Sequence, residues 1–381
     1  MRDLDELSAW LRLTETPGIG RASARRLLAA FGAPQAVFAV PPKAWLEWLT
    51  PVQADALARP SAELTALIQR SGDWLGTTEG PPRALVTLGD PAYPRLLLEA
   101  ADPPLLLYAL GQTGLLNAPG IAVVGSRNPT PQGLENARSF AAAFSDHGLA
   151  VVSGLALGID GAAHEGALTG PGSTVAVVGT GLDRVYPKRH LALARRIAEQ
   201  GLLVSEYPLG TPPVAANFPR RNRLIAGMTR GTLVIEAALP SGSLITARLA
   251  VENGREVFAI PGSIHSPQSK GCHALIKEGA RLVETASDVL EELRLGGPAA
   301  RSVGSAGATR QAASPTADTA AAATSGDPLL DVLGFEPVTL DALSERLGEA
   351  PAALSARLLD LELAGEVVRR PGQLFQRLVR A

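Results

Sequence analysis

The 381-residue sequence contains one cysteine, Cys272, and only 4% aromatic residues. A lone cysteine excludes an internal disulfide framework and a cysteine-rich zinc site. The histidines show no metal-site spacing, so we expect no metal, and nothing in the sequence indicates a cofactor. They are His147, His164, His190, His265 and His273. Because so little cysteine fits a reducing compartment, we expect a cytoplasmic protein.

Long apolar runs are also missing. No segment is apolar over enough residues to span a bilayer. The first ten residues carry four charged side chains and no apolar stretch, so no secretory signal is visible. We therefore expect no membrane partner.

Lysine is scarce, since only four of the 35 basic residues are lysines. Arginine suits the bidentate recognition of phosphate, although a GC-rich genome explains the same bias. The net charge of −2 does not by itself indicate nucleic-acid binding. It is −1 over residues 1–80, +1 over 81–295, +1 over 296–326 and −3 over 327–381.

Apolar runs alternate with helical patterns over residues 81–295. Continuous Val/Ile-rich runs separated by helices indicate a parallel sheet that is covered on both faces. The sequence therefore predicts an α/β fold with a Rossmann-like, doubly wound and mostly parallel sheet. The predicted strands are residues 121–124, 151–152, 174–178, 202–205, 232–235, 256–260 and 281–283.

The pattern over residues 1–80 predicts a small helical domain. Its Pro-Gly-Ile-Gly turn at residues 17–20 resembles a helix-hairpin-helix motif, whose glycines let backbone amides approach a phosphate. Arg21, Arg25 and Arg26 would add positive charge nearby. A tight turn that binds nothing explains the same residues, and the net negative charge favours at most a weak DNA contact.

Two further segments follow the predicted sheet. Residues 296–326 are small and polar without any aromatic residue, which indicates a disordered linker. Residues 327–381 predict a winged-helix domain. Its acidic charge favours a protein contact or a vestigial role over sequence-specific DNA recognition, although Arg369 and Arg370 leave a weak duplex contact open. The predicted helices are residues 338–347 and 351–364, and the predicted wing strands are 366–369 and 373–377.

Small and polar residues follow several predicted strands where each strand ends. The carboxyl ends of parallel strands share one edge of the sheet, where backbone amides and helix N-termini bind anions. We expect Arg127 to grip a phosphate there and the loops to form one continuous basic groove. The candidate DNA-binding residues in these loops are Gly125, Ser126, Arg127, Ser153, Gly154, Lys188, Ser241, Gly242, Ser243, Thr246, Lys270 and Gly271.

Arginines stand beside an aromatic residue at residues 217–227, and no acidic residue occurs from residue 207 to 235. This combination suits a single nucleic-acid strand, because arginines bind phosphates and Phe218 can stack on a base. Burial of Phe218, with the arginines paired to carboxylates, explains the same pattern. The candidate DNA-binding residues here are Phe218, Arg220, Arg221, Asn222 and Arg223.

In their order and spacing these motifs resemble the DNA-processing protein A (DprA/Smf) family. The match covers roughly residues 81–285, and the flanking domains fit the family's layout. The matching runs are Gly125-Ser126-Arg127, Ser153-Gly154, Gly158-Ile159-Asp160 with His164, Tyr186-Pro187, Ser205-Glu206-Tyr207-Pro208, Phe218-Pro219 with Arg221-Asn222-Arg223, Ser241-Gly242-Ser243 with Thr246-Ala247, and Pro261-Gly262.

The resemblance implies binding and protection of incoming single-stranded DNA in natural transformation, and loading of the RecA recombinase onto that strand. It also implies a homodimer formed through the Rossmann-like domain and a sterile-alpha-motif-like N-terminal domain. Single-strand-binding protein is a further candidate partner.

Two other functions stay open. A nucleotide-binding or nucleotide-hydrolysing enzyme, similar to the "lonely guy" phosphoribohydrolases, would carry an acid–base glutamate in a glycine-rich run. In the corresponding run, residues 240–248, the position of that glutamate is held by Arg248 or a neighbour and not by an acid. We therefore expect that the protein is not an enzyme and has no catalytic residue. We expect Asp160, His164 and Glu236 to hold loops by hydrogen bonds instead. A duplex-specific regulator acting through the winged helix is opposed by that domain's acidic charge.

Overall fold

The computed structural model describes residues 4–293, 327–333 and 337–378. The described residues form two compact units that divide after Val289. The predicted linker, residues 296–326, lies outside the described residues. Within them, none of the helices combines the length and the apolar character that crossing a membrane requires.

Short helices form the first part of the larger unit and pack in an apolar cluster that they share with one face of the sheet that follows. Leu11, Leu27 and Leu57 are fully buried in it, and the buried Trp45 indole donates a hydrogen bond to the Val37 carbonyl at 2.8 Å. Thr50 caps a helix reciprocally with Gln53, which explains why that helix begins where it does. The helices are α1 Leu4–Glu15, α2 Arg21–Phe31, α3 Pro34–Ala39, α4 Pro51–Ala58 and α5 Ala62–Gly76.

A nine-stranded sheet follows, with the strand order β1-β2-β6-β5-β4-β3-β7-β8-β9. The strands are β1 Arg83–Thr87, β2 Leu106–Gly111, β3 Gly120–Val124, β4 Ala150–Ser153, β5 Thr174–Val177, β6 Leu202–Ser205, β7 Gly231–Val234, β8 Glu256–Ala259 and β9 Arg281–Leu282. Strands β3 to β9 are parallel, which confirms the predicted mostly parallel α/β sheet. The sequence pattern missed β1 and β2, which extend the sheet in antiparallel fashion beside β6.

Both faces of this sheet are covered, as in a doubly wound fold. On β5, Ala176 belongs to an apolar cluster shared with the N-terminal helices. Its neighbours Val175 and Val177 point to a second cluster that holds Ile225 and Ala250. The covering helices are α6 Pro131–Asp146, α7 Ile159–Ala167, α8 Leu191–Gln200, α9 Asn217–Gly227, α10 Gly242–Glu252, α11 Lys270–Lys277 and α12 Ala286–Glu292.

The smaller unit is a winged helix, as predicted. Its elements are α13 Pro328–Leu333, β10 Val338–Thr339, α14 Leu340–Leu347, α15 Pro351–Leu363, β11 Val367–Arg370 and β12 Leu374–Arg377. The strands pair antiparallel in the order β10-β12-β11 around a core that includes Leu343, Leu354 and Phe375. Arg357 on the second helix binds Glu349 at 2.7 Å and Asp327 at 2.5 Å, so its charge is offset within the unit.

Candidate nucleic-acid interface

A cleft of about 460 Å³ opens at the carboxyl ends of β3 and β7. Ten of the sequence-predicted residues line it. They are Gly125, Ser126, Arg127, Phe218, Arg221, Asn222, Ser241, Gly242, Ser243 and Thr246. The loop after β3, the start of α9 and the start of α10 therefore meet at one place, as expected of strands that share a carboxyl edge.

Glu236 holds the loop that carries Arg127. Its carboxylate accepts hydrogen bonds from the Thr130 amide at 2.9 Å and the Thr130 hydroxyl at 2.5 Å, and its carbonyl accepts one from the Ser126 amide at 2.7 Å. Gly125 has no room for a side chain, since a β-carbon there would lie 2.7 Å from Ile159. The loop is therefore fixed while the Arg127 side chain stays exposed to solvent.

The loop after β4 is held by two buried polar groups. Asp160 accepts hydrogen bonds from the Gly154 amide at 3.1 Å and the Ala156 amide at 3.2 Å. His164 accepts one from the Leu155 amide at 3.3 Å. Asp160, His164 and Glu236 thus form the loop-holding hydrogen bonds that the sequence analysis expects.

Arg221 lines the cleft but is almost fully buried. The side chain is buried, and Nη1 donates to the carbonyls of Gly154, at 2.5 Å, and Val177. Burial lowers the pKa of Arg221 to about 10, while the nearby Asp160 charge opposes that shift. Burial raises the pKa of Asp160, and Arg221 opposes it. The guanidinium stays charged at neutral pH.

The first turn of α10 forms one wall of the cleft. Ser241 caps this helix by accepting a hydrogen bond from the Ser243 amide at 3.3 Å, and the two hydroxyl oxygens lie 2.7 Å apart. Asn222 donates from its amide to the Gly242 carbonyl at 3.3 Å and so joins α9 to this turn. The N-terminal end of a helix favours an anion, because its amides point outward and its dipole is positive there.

Phe218 is half-buried. It therefore lies between the two alternatives that the sequence left open, a ring that is free to stack on a base and a ring that is buried. It lies close to Gly179, where a β-carbon would sit 3.1 Å from Phe218 Cδ1. Its ring also packs on Tyr186, with the centroids 5.3 Å apart. Part of the ring remains in the cleft wall.

The structure does not bring Arg223 to the cleft, which corrects its prediction as a DNA-binding residue. Its guanidinium binds Glu206 and donates to the Asp102 carbonyl at 2.8 Å. Burial lowers the pKa of Arg223 and raises that of Glu206, and each charge opposes the shift of the other. Because Arg221 and Arg223 are two positions apart on α9, they point about 200° apart around the helix.

The arginines of the predicted helix-hairpin-helix turn are also engaged within the chain. Arg21 binds Asp102 at 2.5 Å and Glu206 at 3.1 Å, and Arg25 binds Asp102 at 2.9 Å. These carboxylates form ion pairs with two of the guanidinium groups that were expected near a phosphate. The arrangement supports the alternative of a tight turn that binds no DNA.

The remaining candidates lie outside the main cleft. Ser153 is buried and donates to the Val123 carbonyl at 2.7 Å, and the buried Gly271 amide donates to the Ala237 carbonyl at 2.7 Å. Lys270 donates to the Ile264 carbonyl. Lys188 and Arg220 are exposed, and Gly154 lines a smaller neighbouring cavity. Ten of the predicted residues therefore lie together in one cleft, and a continuous groove through all these loops stays a prediction.

Sequence reasoning missed several residues that line the cleft. Gln268 donates to the Asn128 carbonyl at 2.9 Å and closes the wall beside Arg127. Ala156, Pro219 and Pro240 also line the cleft. Their positions next to the predicted motifs were the available signal, because a loop that supplies one ligand residue usually exposes its neighbours as well.

Comparisons with known proteins fit this geometry. Residues 84–294 match the family model "DNA recombination-mediator protein A", and residues 311–373 match the "DprA winged helix domain" model. The chain belongs to the DprA/Smf family. Protein Smf of Escherichia coli is 42% identical over 315 residues, which cover 82% of this chain and 82% of that protein. DprA of Streptococcus pneumoniae is 50% identical over 203 residues, 53% of this chain and 72% of that protein.

Two solved DprA structures resemble the chain. The X-ray structure of DprA from Streptococcus pneumoniae has a TM-score of 0.61 and 37% identity, covering 77% of this chain and 99% of that one. A Helicobacter pylori DprA structure has a TM-score of 0.51 and 30% identity, covering 56% and 95%. That second structure is described as giving insights into the single-stranded DNA binding mode of the Helicobacter pylori protein.

We predict that acid destabilises the loop after β4 through His164. The Thr174 hydroxyl donates to the Val151 carbonyl, so His164 Nδ1 donates to Thr174 and Nε2 must remain an acceptor. Burial lowers the pKa of His164 to about 3. The unfolded histidine titrates near 6.5, so between these values the unfolded state binds the extra proton. Stability should then fall by about 1.4 kcal/mol per pH unit as the pH decreases.

The measurement is the urea-unfolding free energy of wild type and His164→Gln from pH 7 to pH 4.5. Glutamine does not titrate, so the variant should start less stable and show a shallower decline than wild type. Parallel curves for the two proteins would show that His164 does not control the acid response.

Proposed function

We propose that the cleft binds single-stranded DNA without sequence preference. The observation that carries this proposal is the meeting of Arg127, the serine-rich first turn of α10 and the Phe218 ring around one open cleft. The arginine and the helix end bind phosphate, and the ring stacks on any base. The single-stranded DNA binding mode described for the Helicobacter pylori relative supports the same assignment.

We further propose that the protein is not an enzyme. Among the described residues, Asp160 is the one carboxylate that lines the cleft. Its Oδ2 accepts two backbone amides, so it is engaged in holding the loop. The position that carries a glutamate in the phosphoribohydrolases corresponds to Arg248 or a neighbour, and Arg248 is exposed on α10. A general acid or base must reach the reacting atoms, and these groups do not offer one.

The wider role that we propose follows from membership of the DprA/Smf family. The protein protects incoming single strands in the cytoplasm during natural transformation and loads RecA onto them. It acts as a homodimer, and single-strand-binding protein is a further candidate partner. The proposed domains are residues 1–80, 81–295 and 327–381, with 296–326 as a linker.

The proposal is tested by the salt dependence of binding to a dT oligomer. Arg127→Ala should weaken binding at least tenfold and reduce the slope of log K against log salt by about 0.7, the value for one lost phosphate contact with a single strand. Arg223→Ala should leave that slope unchanged, because its guanidinium is held by Glu206. Arg196→Ala, an exposed arginine outside the cleft, is the control. Wild-type affinity and slope in a folded Arg127→Ala protein would show that the site is misplaced.

Removing residues 296–381 should leave single-strand binding intact. Every residue that lines the cleft lies in the unit that ends at Val289. The measurement is the affinity of the truncated and the complete chain for the same oligomer at the same salt concentration. If the truncated chain unfolds cooperatively, and is therefore folded, but fails to bind the oligomer, the site has been assigned to the wrong domain.

Oligomer length should reveal the homodimer. One cleft accommodates a few nucleotides, and two clefts joined in a dimer bind a longer strand with avidity. Affinity should therefore rise in two steps as the oligomer grows, first when one cleft is filled and then when both are. A single step would contradict the two-cleft arrangement while leaving the individual cleft intact.

A further inference from the structure

A second, smaller cavity of about 90 Å³ adjoins the main cleft. Four residues line both spaces, namely Arg127, Ala156, Phe218 and Arg221. Phe218 thus lies at the junction, with its ring forming part of the wall on either side. Tyr186 and Pro187, from the loop after β5, close the far side of the small cavity.

Tyr186 is an unusually placed aromatic residue. Its relative exposure is 48%, whereas Tyr93 and Tyr108 are buried and the Tyr207 hydroxyl donates to the Asn217 carbonyl. The Tyr186 hydroxyl makes no hydrogen bond to any residue that the structure describes. Neither burial of the ring nor a hydrogen bond of the hydroxyl therefore accounts for a tyrosine at this position.

The Tyr186 ring packs against the Phe218 ring. The two centroids are 5.3 Å apart and the ring planes are inclined by 41°. Phe218 is itself limited by Gly179, whose backbone lies against its Cδ1–Cε1 edge. Because the ring pair is already positioned, a base that stacks on it would lose little free energy to side-chain ordering.

We propose that Tyr186 is a second base-stacking platform of the single-strand site. It takes the base of the nucleotide next to the one held in the main cleft, and Arg127 contacts the phosphate between them because it lines both spaces. The ligand at this subsite is any nucleobase, since stacking requires only a π-face. This inference rests on the proposed single-strand binding in the cleft.

The competing role for Tyr186 is to support Phe218 by packing. The two roles differ in what the DNA must contain. Stacking requires a base. If Tyr186 acts by stacking, removing its ring should therefore not change the affinity for an oligomer made of abasic residues. A separate platform also contributes when the Phe218 ring is absent, whereas a mere support for Phe218 does not.

The experiment measures the affinity of the complete chain for a dT oligomer and for an abasic oligomer of equal length. Tyr186→Phe should match wild type, because the ring is kept. Tyr186→Leu keeps an apolar contact for Phe218 but should weaken dT binding by about 5- to 150-fold, the range for loss of one stacked base. The same variant should bind the abasic oligomer as wild type does. Val52→Ala, an exposed apolar residue in α4, is the control and should change neither affinity.

A second comparison places Tyr186→Leu in a Phe218→Ala background. A further loss of dT affinity supports a separate platform, and the absence of a further loss overturns it. Equal weakening on the dT and abasic oligomers also overturns it. Failure of the wild-type chain to bind either oligomer would overturn the proposed function and this inference together, whereas wild-type binding that Tyr186→Leu leaves unchanged overturns the inference alone.

Discussion

The buried Arg221 guanidinium is the interaction on which the site depends. It joins α9 to the ends of β4 and β5 through the Gly154 and Val177 carbonyls. The approach is so close that a β-carbon at Gly154 would lie 2.2 Å from Arg221 Nη2, which explains the glycine. A buried charge is costly unless it is hydrogen-bonded, so loss of these bonds would free α9 and the loop together.

Internal carboxylates decide which arginines are available to a ligand. Glu206 and Asp102 bind Arg21, Arg25 and Arg223 at the contact between the N-terminal helices and the sheet domain. They engage basic residues that would suit phosphate in ion pairs within the larger unit. Arg127 remains exposed at the rim of the cleft. The number of arginines in a motif therefore overstates the number that can contact DNA.

The sequence predicted the parallel strands and the loops that form the cleft, because strand ends of one parallel sheet must share an edge. It missed β1 and β2, whose antiparallel pairing beside β6 is set by tertiary contacts. Nor could it separate Arg221 from Arg223. Helical periodicity shows that the two point apart, but only the fold shows that Glu206 lies on one side and the strand ends on the other.

The same hydrogen bonds that build the cleft support the proposed binding without sequence preference. Reading a base requires fixed polar atoms that are free to meet its edge. In this cleft Asp160 accepts backbone amides, and Asn222 both accepts from Arg221 and donates to the Gly242 carbonyl. The exposed Arg127 guanidinium, the first turn of α10 and the half-buried Phe218 ring remain available to a ligand, and each of these recognises a feature common to every nucleotide.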